Sequence, residues 1–314
     1  MKTSCTPRYL RVSLLSNCNL KCSYCRPSDQ HQSAVQAPIE KVRAAIRFLH
    51  RSGIRKVRFT GGEPTLYKGL PELVSFVKNL DQDVHTGVTS NGILLGPMIR
   101  ELSDAGLDSV NISLDTLDPA RFQALTGRSL HKEVISGIDA AVEHISRVKL
   151  NCVLIRGVTD DEIERLILFA DNRGLDIRFI EFMPNCYSTP NDPRFISTDE
   201  IRTRLPWSFT TLPHEGSSAA RYCVSPSLRI RVGFICSVSH PFCSRCDRIR
   251  LTADGMLHTC IYDSGGINLF NLLVTDSEIA QIEYEKLVQS KHLKGRRRPD
   301  VFDSTLPSFS AMGG

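Results

Sequence analysis

The sequence predicts an α/β protein built as an open, partial (β/α)6 barrel that is followed by a C-terminal extension. Short apolar runs alternate with segments of helical periodicity from residue 9 to about residue 183. Strands and helices that alternate in this way form a parallel sheet with right-handed crossovers. Six β–α units are two fewer than the eight of a closed barrel, so we expect the barrel to remain open.

The strands and two of the helices can be placed individually. The predicted strands cover residues 10–15, 56–60, 84–89, 108–113, 148–154 and 177–182. One helix is predicted over 38–52, and Gly53 ends it. Another is predicted to begin at Thr159, because Glu162 three residues later completes a capping box, and to end before Gly174.

The pattern weakens after residue 184, which suggests three parts. Residues 1–184 form the predicted partial barrel, and residues 185–226, rich in Pro, Ser, Thr and Asn, are interpreted as a connector with a short helix near 198–204. Residues 227–314 form the predicted C-terminal region, which includes a helix at about 276–290.

Composition and charge restrict the class of protein. Apolar residues make up 41% and charged residues 23%, which is typical of a globular protein. The net charge of +5 is a mild excess that suits an anionic small molecule better than a nucleic acid. No apolar run is long enough for a membrane span, and the N-terminus lacks the hydrophobic core of a signal peptide. We therefore expect a cytoplasmic protein with no membrane or nucleic-acid partner.

The alternation of side chains along the strands indicates a charged cavity. Apolar residues should face the surrounding helices, which leaves Arg11, Arg58 and Lys149 directed into the barrel. The interior of a packed barrel normally holds Val, Ile and Leu, and buried cations are costly without an anion or water. Exposed edge strands or internal salt bridges would also explain any single position. For several strands together, the pattern favours a cavity.

The eleven cysteines are too many, and too clustered, for an ordinary cytosolic protein. An odd number in a reducing compartment does not fit a disulfide framework. Two groups can be distinguished, the first with Cys18, Cys22 and Cys25 and the second with Cys243, Cys246 and Cys260. The others are interpreted as mostly small buried side chains; they are Cys5, Cys152, Cys186, Cys223 and Cys236.

The first cysteine group directly follows the first predicted strand, at the end of the barrel where such enzymes place their sites. Three cysteines on one loop can hold three irons of a four-iron cluster and leave the fourth iron open. A structural zinc site would need a fourth ligand, for which His31 is the nearest candidate. The string CNLKCSYC, with Tyr24 before the last cysteine, resembles the signature of the radical S-adenosylmethionine (SAM) enzymes.

This resemblance implies a [4Fe–4S] cluster whose open iron binds SAM, which is then cleaved to a 5′-deoxyadenosyl radical. The segment GGEP at residues 61–64 matches the family element that contacts the methionine end of the cofactor. The implied cofactor contacts are Tyr24, Gly62, Ser113 and Met183. Taken alone, GGEP would be a turn, Ser113 the polar end of a strand and Met183 a core residue.

The second cysteine group lies in the string CSRCDRIRLTADG, which resembles the second cluster motif of the molybdenum-cofactor GTP 3′,8-cyclases. A zinc knuckle completed by Cys236 or His240 is the alternative. The last residues, Gly313 and Gly314, resemble the double-glycine tail of that family. Asp247 departs from the family pattern, which commonly has Asn there, and residues 185–215 match no motif.

The resemblance to the GTP 3′,8-cyclases covers nearly the whole chain and implies a second [4Fe–4S] cluster and GTP as substrate. The implied GTP contacts are Arg11, Arg58, Thr89, Lys149, Arg248 and Arg250. Three of them are the inward cations that the strand alternation indicates independently. The implied reaction abstracts the ribose 3′ hydrogen and joins C3′ to C8, with the second cluster holding the guanine edge and the glycine tail entering the site.

The resemblance also implies partners: an external electron donor of the flavodoxin or ferredoxin type, and a downstream cyclic pyranopterin monophosphate synthase that receives the product. A homodimer is one option for the assembly. Two alternatives remain at this point. One is a radical SAM enzyme that acts on another nucleotide or on a peptide. The other is an electron-transfer or zinc-binding protein without catalysis, which leaves the GGEP segment and the inward cations unexplained.

Overall fold

Six parallel strands in chain order form the centre of the molecule. The computed structural model describes residues 6–25, 35–183, 192–263, 265–294 and Met312. The central strands are β1 (Tyr9–Ser13), β2 (Lys56–Thr60), β3 (His85–Ser90), β4 (Ser109–Ser113), β5 (Val148–Leu154) and β6 (Asp176–Glu181). Each pairs in parallel with the next, as the sequence predicts.

Helices connect these strands and cover the outer face of the sheet. They are α1 (Ile39–Arg51), α2 (Leu70–Leu80), α3 (Leu95–Asp104), α4 (Pro119–Thr126), α5 (His131–His144) and α6 (Ile163–Asn172). The apolar stripe of α1, with Val42, Ile46 and Leu49, is fully buried. Gly53 follows α1 with a φ of +106°, which glycine adopts without strain, so the predicted end of this helix is confirmed.

The predicted start of α6 is wrong, although its end before Gly174 is confirmed. The Thr159 hydroxyl donates to the Val153 carbonyl at 2.9 Å and accepts from the Ile155 amide at 2.8 Å, so it cannot cap the helix. Glu162 instead accepts from residues that follow β4. The helix therefore begins at Ile163, and the local sequence pattern is overridden by contacts with neighbouring strands.

The C-terminal part of the chain extends this same sheet at both edges. It forms α7 (Thr198–Arg204), β7 (Thr210–Thr211), β8 (Arg221–Val224), β9 (Val232–Ile235), β10 (Arg248–Leu251), β11 (Met256–His258), β12 (Ile267–Asn268), α8 (Leu269–Thr275) and α9 (Ser277–Lys294). Strand β10 adds in parallel to β1, and β9 adds in parallel to β6. The remaining four strands pair antiparallel outside them.

The described part of the chain thus has one twelve-stranded open sheet, with β12 at one edge and β7 at the other. The open partial barrel is confirmed, and the strand-like runs expected over residues 227–262 include one further parallel strand on each side, a pairing that the sequence did not predict. The helices predicted near 198–204 and 276–290 are present as α7 and α9. The division of the chain at residues 184 and 226 remains a prediction. No helix among the described residues is both long and apolar enough to cross a membrane.

The register of the sheet brings two of the predicted inward cations, Arg11 and Arg58, to one level with Arg250. Arg11 on β1 pairs with Arg58 on β2 and with Arg250 on β10. Paired positions on neighbouring strands project from the same face, so the three arginines form a row. Gly87 is opposite Arg58 on β3, and a Cβ atom there would lie 2.5 Å from a guanidinium nitrogen of Arg58. The glycine therefore makes room for the buried arginine.

Candidate active site

The first cysteine group lies in a cavity of 240 Å³ at the carboxyl ends of the central strands. Cys18, Cys22 and Cys25 line this cavity together with residues that follow β2, β3 and β4. All four residues predicted to contact SAM line it as well; they are Tyr24, Gly62, Ser113 and Met183. The fold therefore brings together what the sequence separates by up to 165 residues (183 − 18).

The two glycines of the GGEP segment allow the segment to touch the cysteine loop. The Gly62 amide donates to the Leu15 carbonyl at 2.7 Å, and the Glu63 amide donates to the Asn17 carbonyl at 2.8 Å. A Cβ atom at Gly62 would lie 1.9 Å from the Asn17 carbonyl oxygen. Gly61 has a φ of +142°, where a side chain would also be strained. Both glycines are therefore required by backbone packing, independently of any bound cofactor.

Glu63 is a positioning residue that the sequence reasoning missed. Its buried carboxylate accepts from the Thr65 amide and hydroxyl, the Ser90 hydroxyl at 2.8 Å and the Asn91 amide at 2.7 Å. Burial raises the pKa of Glu63, and these hydrogen bonds oppose the increase. The Asn91 side chain in turn donates to Asn19 at 2.7 Å and reaches within 3.8 Å of Cys18 Sγ. Glu63 thus connects β2, β3 and the cysteine loop.

Tyr24 is fixed by a buried carboxylate in the same cavity. Its hydroxyl donates to Asp115 Oδ2 at 2.6 Å, and Asp115 Oδ1 accepts from the Val153 amide at 2.8 Å. Burial and the nearby Asp115 carboxylate raise the pKa of Tyr24, so the ring keeps its proton. This pair ties the last turn of the cysteine loop to β4 and β5.

The first cysteine group fits an iron–sulfur cluster. Burial, followed by the proximity of Cys25, Asp115 and Cys18, raises the pKa of the Cys22 thiol, a cost that bound iron removes because it binds thiolates. Within the described ranges, no group of three or more His, Cys, Asp or Glu side chains is arranged to hold one metal ion. A cubane cluster differs, since each thiolate binds a different iron.

A second cavity of 520 Å³ adjoins the first and is strongly positive. Among the described residues, its cations are Arg11, Lys56, Arg58, Arg147, Lys149, Arg178, Arg248 and Arg250. Two carboxylates of the described ranges, Glu215 and Asp247, line it with them. Thr89 lines both cavities, and Asp247 is the position where the sequence departs from the family pattern. So many cations around one space create a field that favours a polyanion.

Internal partners explain some of these cations, and they differ between Arg58 and Lys149. Arg58 is 3% exposed and donates to the Tyr9 hydroxyl, the Val88 carbonyl and the Ser109 hydroxyl at 2.6–2.9 Å. Lys149 forms an ion pair with Asp176 at 3.3 Å and donates to Tyr222. The internal salt bridge considered as an alternative therefore exists at Lys149. The three acceptors of Arg58, in contrast, are two hydroxyl groups and one carbonyl group.

Tyr9 responds to this excess of positive charge. Its desolvation alone would raise its pKa, but Arg58, Arg11, Lys56 and Arg248 outweigh this and lower the pKa to about 7. In the same cavity, burial and the neighbouring Lys56 lower the pKa of His85 to about 4, so the imidazole is neutral near pH 7. Both shifts favour loss of a proton and so reduce the positive charge of the cavity; the cations cause the shift of Tyr9, whereas burial is the larger cause for His85.

Two arginines keep a buried nitrogen available. The Nη2 atoms of Arg178 and Arg248 are buried and have no hydrogen-bond partner among the described residues. Arg178 was not predicted as a site residue, and neither was Lys56. The alternation of Arg178 with Ile177 and Phe179, and of Lys56 with Val57, carried the same signal that identified Arg58. Both could have been found by extending that rule to every strand.

The second cysteine group lines this second cavity. Cys243, Cys246 and Cys260 are brought together by the turn before β10 and the turn after β11. The candidates for a fourth zinc ligand are engaged elsewhere, since Cys236 contacts the Thr198 hydroxyl at 3.0 Å and His240 Nε2 contacts Asp199 at 2.7 Å. The arrangement is therefore a triad rather than a closed set of four ligands.

The two cavities share several lining residues. Met312, near the end of the chain, contacts Arg250 in the wall of the second cavity. The shared lining residues are Thr89, Asn151, Ile180, Met183 and Ile261. Arg250 donates to the Met312 carbonyl at 3.0 Å, and Met312 is 1% exposed. The predicted tail residues Gly313 and Gly314 lie outside the described residues, as do His31, Cys5 and Cys186.

Comparisons with known proteins agree with this arrangement. Residues 12–170 match the Radical SAM superfamily and residues 175–297 match the Molybdenum Cofactor Synthesis C family. SuiB of Streptococcus suis bound to S-adenosylmethionine has a similar fold, with a TM-score of 0.64 and 16% identity, over 91% of this chain and 68% of that one. The fold and the first cysteine loop are those of a radical SAM protein.

Curated relatives define the family more closely. The GTP 3′,8-cyclase of Thermodesulfovibrio yellowstonii is 34% identical over 98% of this chain and 97% of that protein. Molybdenum cofactor biosynthesis protein 1 of Drosophila melanogaster is 39% identical over 86% of this chain but only 49% of that protein. The chain belongs to the GTP 3′,8-cyclase family, and it spans about half the length of its animal relatives. Its cofactors are accordingly [4Fe–4S] clusters and SAM.

Proposed function

We propose that the protein is a GTP 3′,8-cyclase, which converts GTP to (8S)-3′,8-cyclo-7,8-dihydro-GTP in the first step of molybdenum cofactor biosynthesis. The observation that carries the proposal is the shared wall between the two cavities. A cofactor at the first cysteine group and a nucleotide among the cations would meet at Thr89, Asn151 and Met183. Direct transfer of a hydrogen atom requires such contact between reacting groups.

In the first cavity, Cys18, Cys22 and Cys25 hold the cluster, and Tyr24, Gly62, Ser113 and Met183 hold SAM. When bound, these groups supply the 5′-deoxyadenosyl radical, and the second cluster supplies an open iron for the guanine base. The task of the protein is to keep the methionine end of SAM against the cysteine loop. The hydrogen bonds of Gly62 with Leu15 and of Tyr24 with Asp115 fix the two sides of that site.

In the second cavity, the cations neutralise the triphosphate, and no general base is needed. Arg11, Arg58 and Arg250 form one row across three strands, and Lys149 approaches from β5. Guanidinium groups bind phosphate through paired, charge-assisted hydrogen bonds, a task for which Arg is better suited than Lys. Thr89 and Arg248 complete the proposed GTP contacts, with Cys243, Cys246 and Cys260 holding the second cluster beside the base.

The C-terminal tail is part of the proposed active site. The hydrogen bond from Arg250 to Met312 brings the chain next to the substrate cavity just before Gly313 and Gly314. Residues without side chains can approach a bound substrate more closely than any others. We assign the two glycines to the site on this basis.

The proposed partners follow from the reaction. The cyclisation consumes electrons, so a low-potential donor of the flavodoxin or ferredoxin type must dock. The product passes to a cyclic pyranopterin monophosphate synthase. We propose a cytoplasmic location, where both partners are available, and a homodimer as the assembly to be tested.

The direct test is anaerobic incubation of the reconstituted protein with SAM, dithionite and each nucleoside triphosphate in turn. The expected product is an isomer of GTP, because the substrate loses its 3′ hydrogen and gains one on the base. Chromatography with fragment mass spectrometry is therefore required, together with quantification of 5′-deoxyadenosine. Formation of 5′-deoxyadenosine without any change in GTP, or equal conversion of ATP, would contradict the proposal.

A further inference from the structure

Helix α9 carries a charged residue on its buried face. Ala280, Tyr284 and Leu287 are buried at helical spacing, and Lys291 continues the same stripe one turn later. An apolar residue would be expected there, because an ammonium group is costly to desolvate without partners. Lys286, in contrast, is on the exposed side, with a side chain that is 66% exposed and pairs with Glu283.

The partners of Lys291 all belong to the second cysteine group or its immediate neighbours. Nζ donates to the Thr259 carbonyl at 2.7 Å and to the Arg248 carbonyl at 2.8 Å, and it lies 3.8 Å from Cys246 Sγ. An ammonium has three donors, so all three are directed at this one region. Thr259 precedes Cys260, and Arg248 follows Cys246 by two residues, so one side chain connects both cysteine-bearing turns.

Lys291 reaches this region from outside the substrate cavity. Among the described residues that line the cavity, Arg248 and Arg250 are the cations next to the triad, and Lys291 is not one of them. A role in binding the nucleotide is therefore assigned to the arginines, while Lys291 faces the cysteine turns from the side of α9.

We propose that Lys291 is a positioning residue for the second cluster, which holds its two cysteine turns together and places a permanent positive charge beside the Cys246 sulfur. The inference rests on the proposed function, since it assumes iron at this triad. Reduction potentials of iron–sulfur clusters depend on nearby charge and on hydrogen bonds to the sulfurs. A cation stabilises the reduced cluster, which carries one more negative charge, and so raises its potential.

The test isolates the second cluster in a full-length parent in which Cys18, Cys22 and Cys25 are all replaced by Ala. In this parent, Lys291→Met removes charge and donors, Lys291→Arg keeps both, and Lys286→Met is the matched control on the same helix. Iron is determined first, and the potential is then measured by mediated titration followed by electron paramagnetic resonance. Lys291→Met should lower the potential, while Lys291→Arg and Lys286→Met should stay near the parent.

Equal potentials in the parent and in Lys291→Met would overturn the proposal, as would an equal decrease in Lys286→Met. If Lys291→Met does not assemble its cluster, Lys291→Gln, which keeps a donor but no charge, provides the same comparison, and a potential equal to that of the parent would again count against us. Zinc instead of iron in the parent would overturn both this proposal and the proposed function. Equal potentials in the iron-loaded parent and in iron-loaded Lys291→Met would overturn only the proposal for Lys291.

Discussion

The two cysteine triads lie in adjoining cavities of opposite electrostatic character. Around the first, the carboxylates of Glu63, Asp115 and Glu181 are buried, and protein donors satisfy each of them. Around the second, cations dominate, and Arg178 and Arg248 each have a buried nitrogen with no hydrogen-bond partner in the described part of the chain. The buried charges of the first site are therefore satisfied by the protein, whereas those of the second leave hydrogen-bonding capacity that suits an anion.

The two cavities therefore differ in how the protein prepares them for a ligand. Fixed hydrogen bonds hold the first loop in position before any ligand arrives, which is preorganisation. The second cavity stores unsatisfied positive charge, which attracts a polyphosphate and is relieved by it. Variants in the first cavity should therefore affect chemistry, and variants in the second should affect binding.

The largest expected effect is a loss of SAM cleavage that occurs for the first cysteine triad but not for the second. Cys22→Ala should abolish SAM cleavage, because its thiolate anchors the reactive cluster, and iron should fall from about eight to about four atoms per chain. Cys246→Ala should lose the same amount of iron but still cleave SAM to 5′-deoxyadenosine. Iron analysis and product chromatography measure both. Cleavage by Cys22→Ala, or zinc at the second triad, would invalidate the comparison.

Deletion of Gly313 and Gly314 should reduce turnover sharply while both clusters and GTP affinity remain largely intact. The reason is that Arg250, which lines the second cavity, donates to the Met312 carbonyl, and the role proposed for the two glycines is to complete the site rather than to bind the phosphates. Single-turnover kinetics measure the loss of turnover, and equilibrium binding measures whether the affinity for GTP is retained. As a control, replacement of both glycines by alanine tests whether the absence of side chains is required. Full activity of the deletion variant would show that the tail is dispensable.

Charge recognition and base recognition should separate within the second cavity. Lys149→Ala and Arg178→Ala should weaken GTP and ATP binding alike, by about ten- to a hundredfold for the loss of roughly 1.5–3 kcal/mol per charge-assisted contact. Arg58→Ala should do the same and also lower the melting temperature, because its three acceptors lose their donor.

Cys260→Ala should instead reduce GTP binding far more than ATP binding, since the second cluster contacts the base. Anaerobic equilibrium binding of both nucleotides to these variants is the measurement. If Cys260→Ala lowered both affinities equally, guanine selection would have to arise elsewhere in the barrel.

The smallest expected effect is a pH dependence of GTP binding caused by Tyr9. Its pKa of about 7 in the ligand-free protein is held down by four cations. Bound phosphates oppose the phenolate, so the pKa rises on binding and one proton is taken up. Affinity should therefore decrease as the pH rises above about 7, by at most about tenfold per pH unit.

Tyr9→Phe should flatten this dependence in calorimetric titrations carried out in buffers of different ionisation enthalpy. His85→Gln is the control, because an imidazole with a pKa of about 4 stays neutral over this range. The same proton uptake in Tyr9→Phe and in the unchanged protein would exclude Tyr9 as the source.

The sequence predicted the features that depend on local patterns. Strand alternation identified Arg11, Arg58 and Lys149 as inward cations, and all three line the second cavity. This prediction succeeded because the side of a strand on which a side chain lies depends only on its position along the strand. The roles assigned to the site residues remain predictions. The capping box at Thr159 failed because its hydroxyl bonds to the end of the preceding strand, at Val153 and Ile155, instead of to the helix.

Features that depend on distant pairing were not predicted. The placement of β9 and β10 on opposite edges of the barrel is decided by contacts between segments far apart in sequence. The same holds for Lys291, which is close to Cys246 only in the folded chain. The helical periodicity of α9 places Lys291 on the buried face of the helix, but it does not show which residues the Lys291 side chain contacts.

The pairing of Tyr9 with Arg248 has a consequence for folding. Strand β1 is synthesised well before β10, so its edge on that side stays unpaired until residues 248–251 have been made. An unpaired edge strand is a template for aggregation, and contacts so far apart in sequence form slowly. Until β10 is added, the side of β1 that faces it is therefore an open edge of the nascent barrel.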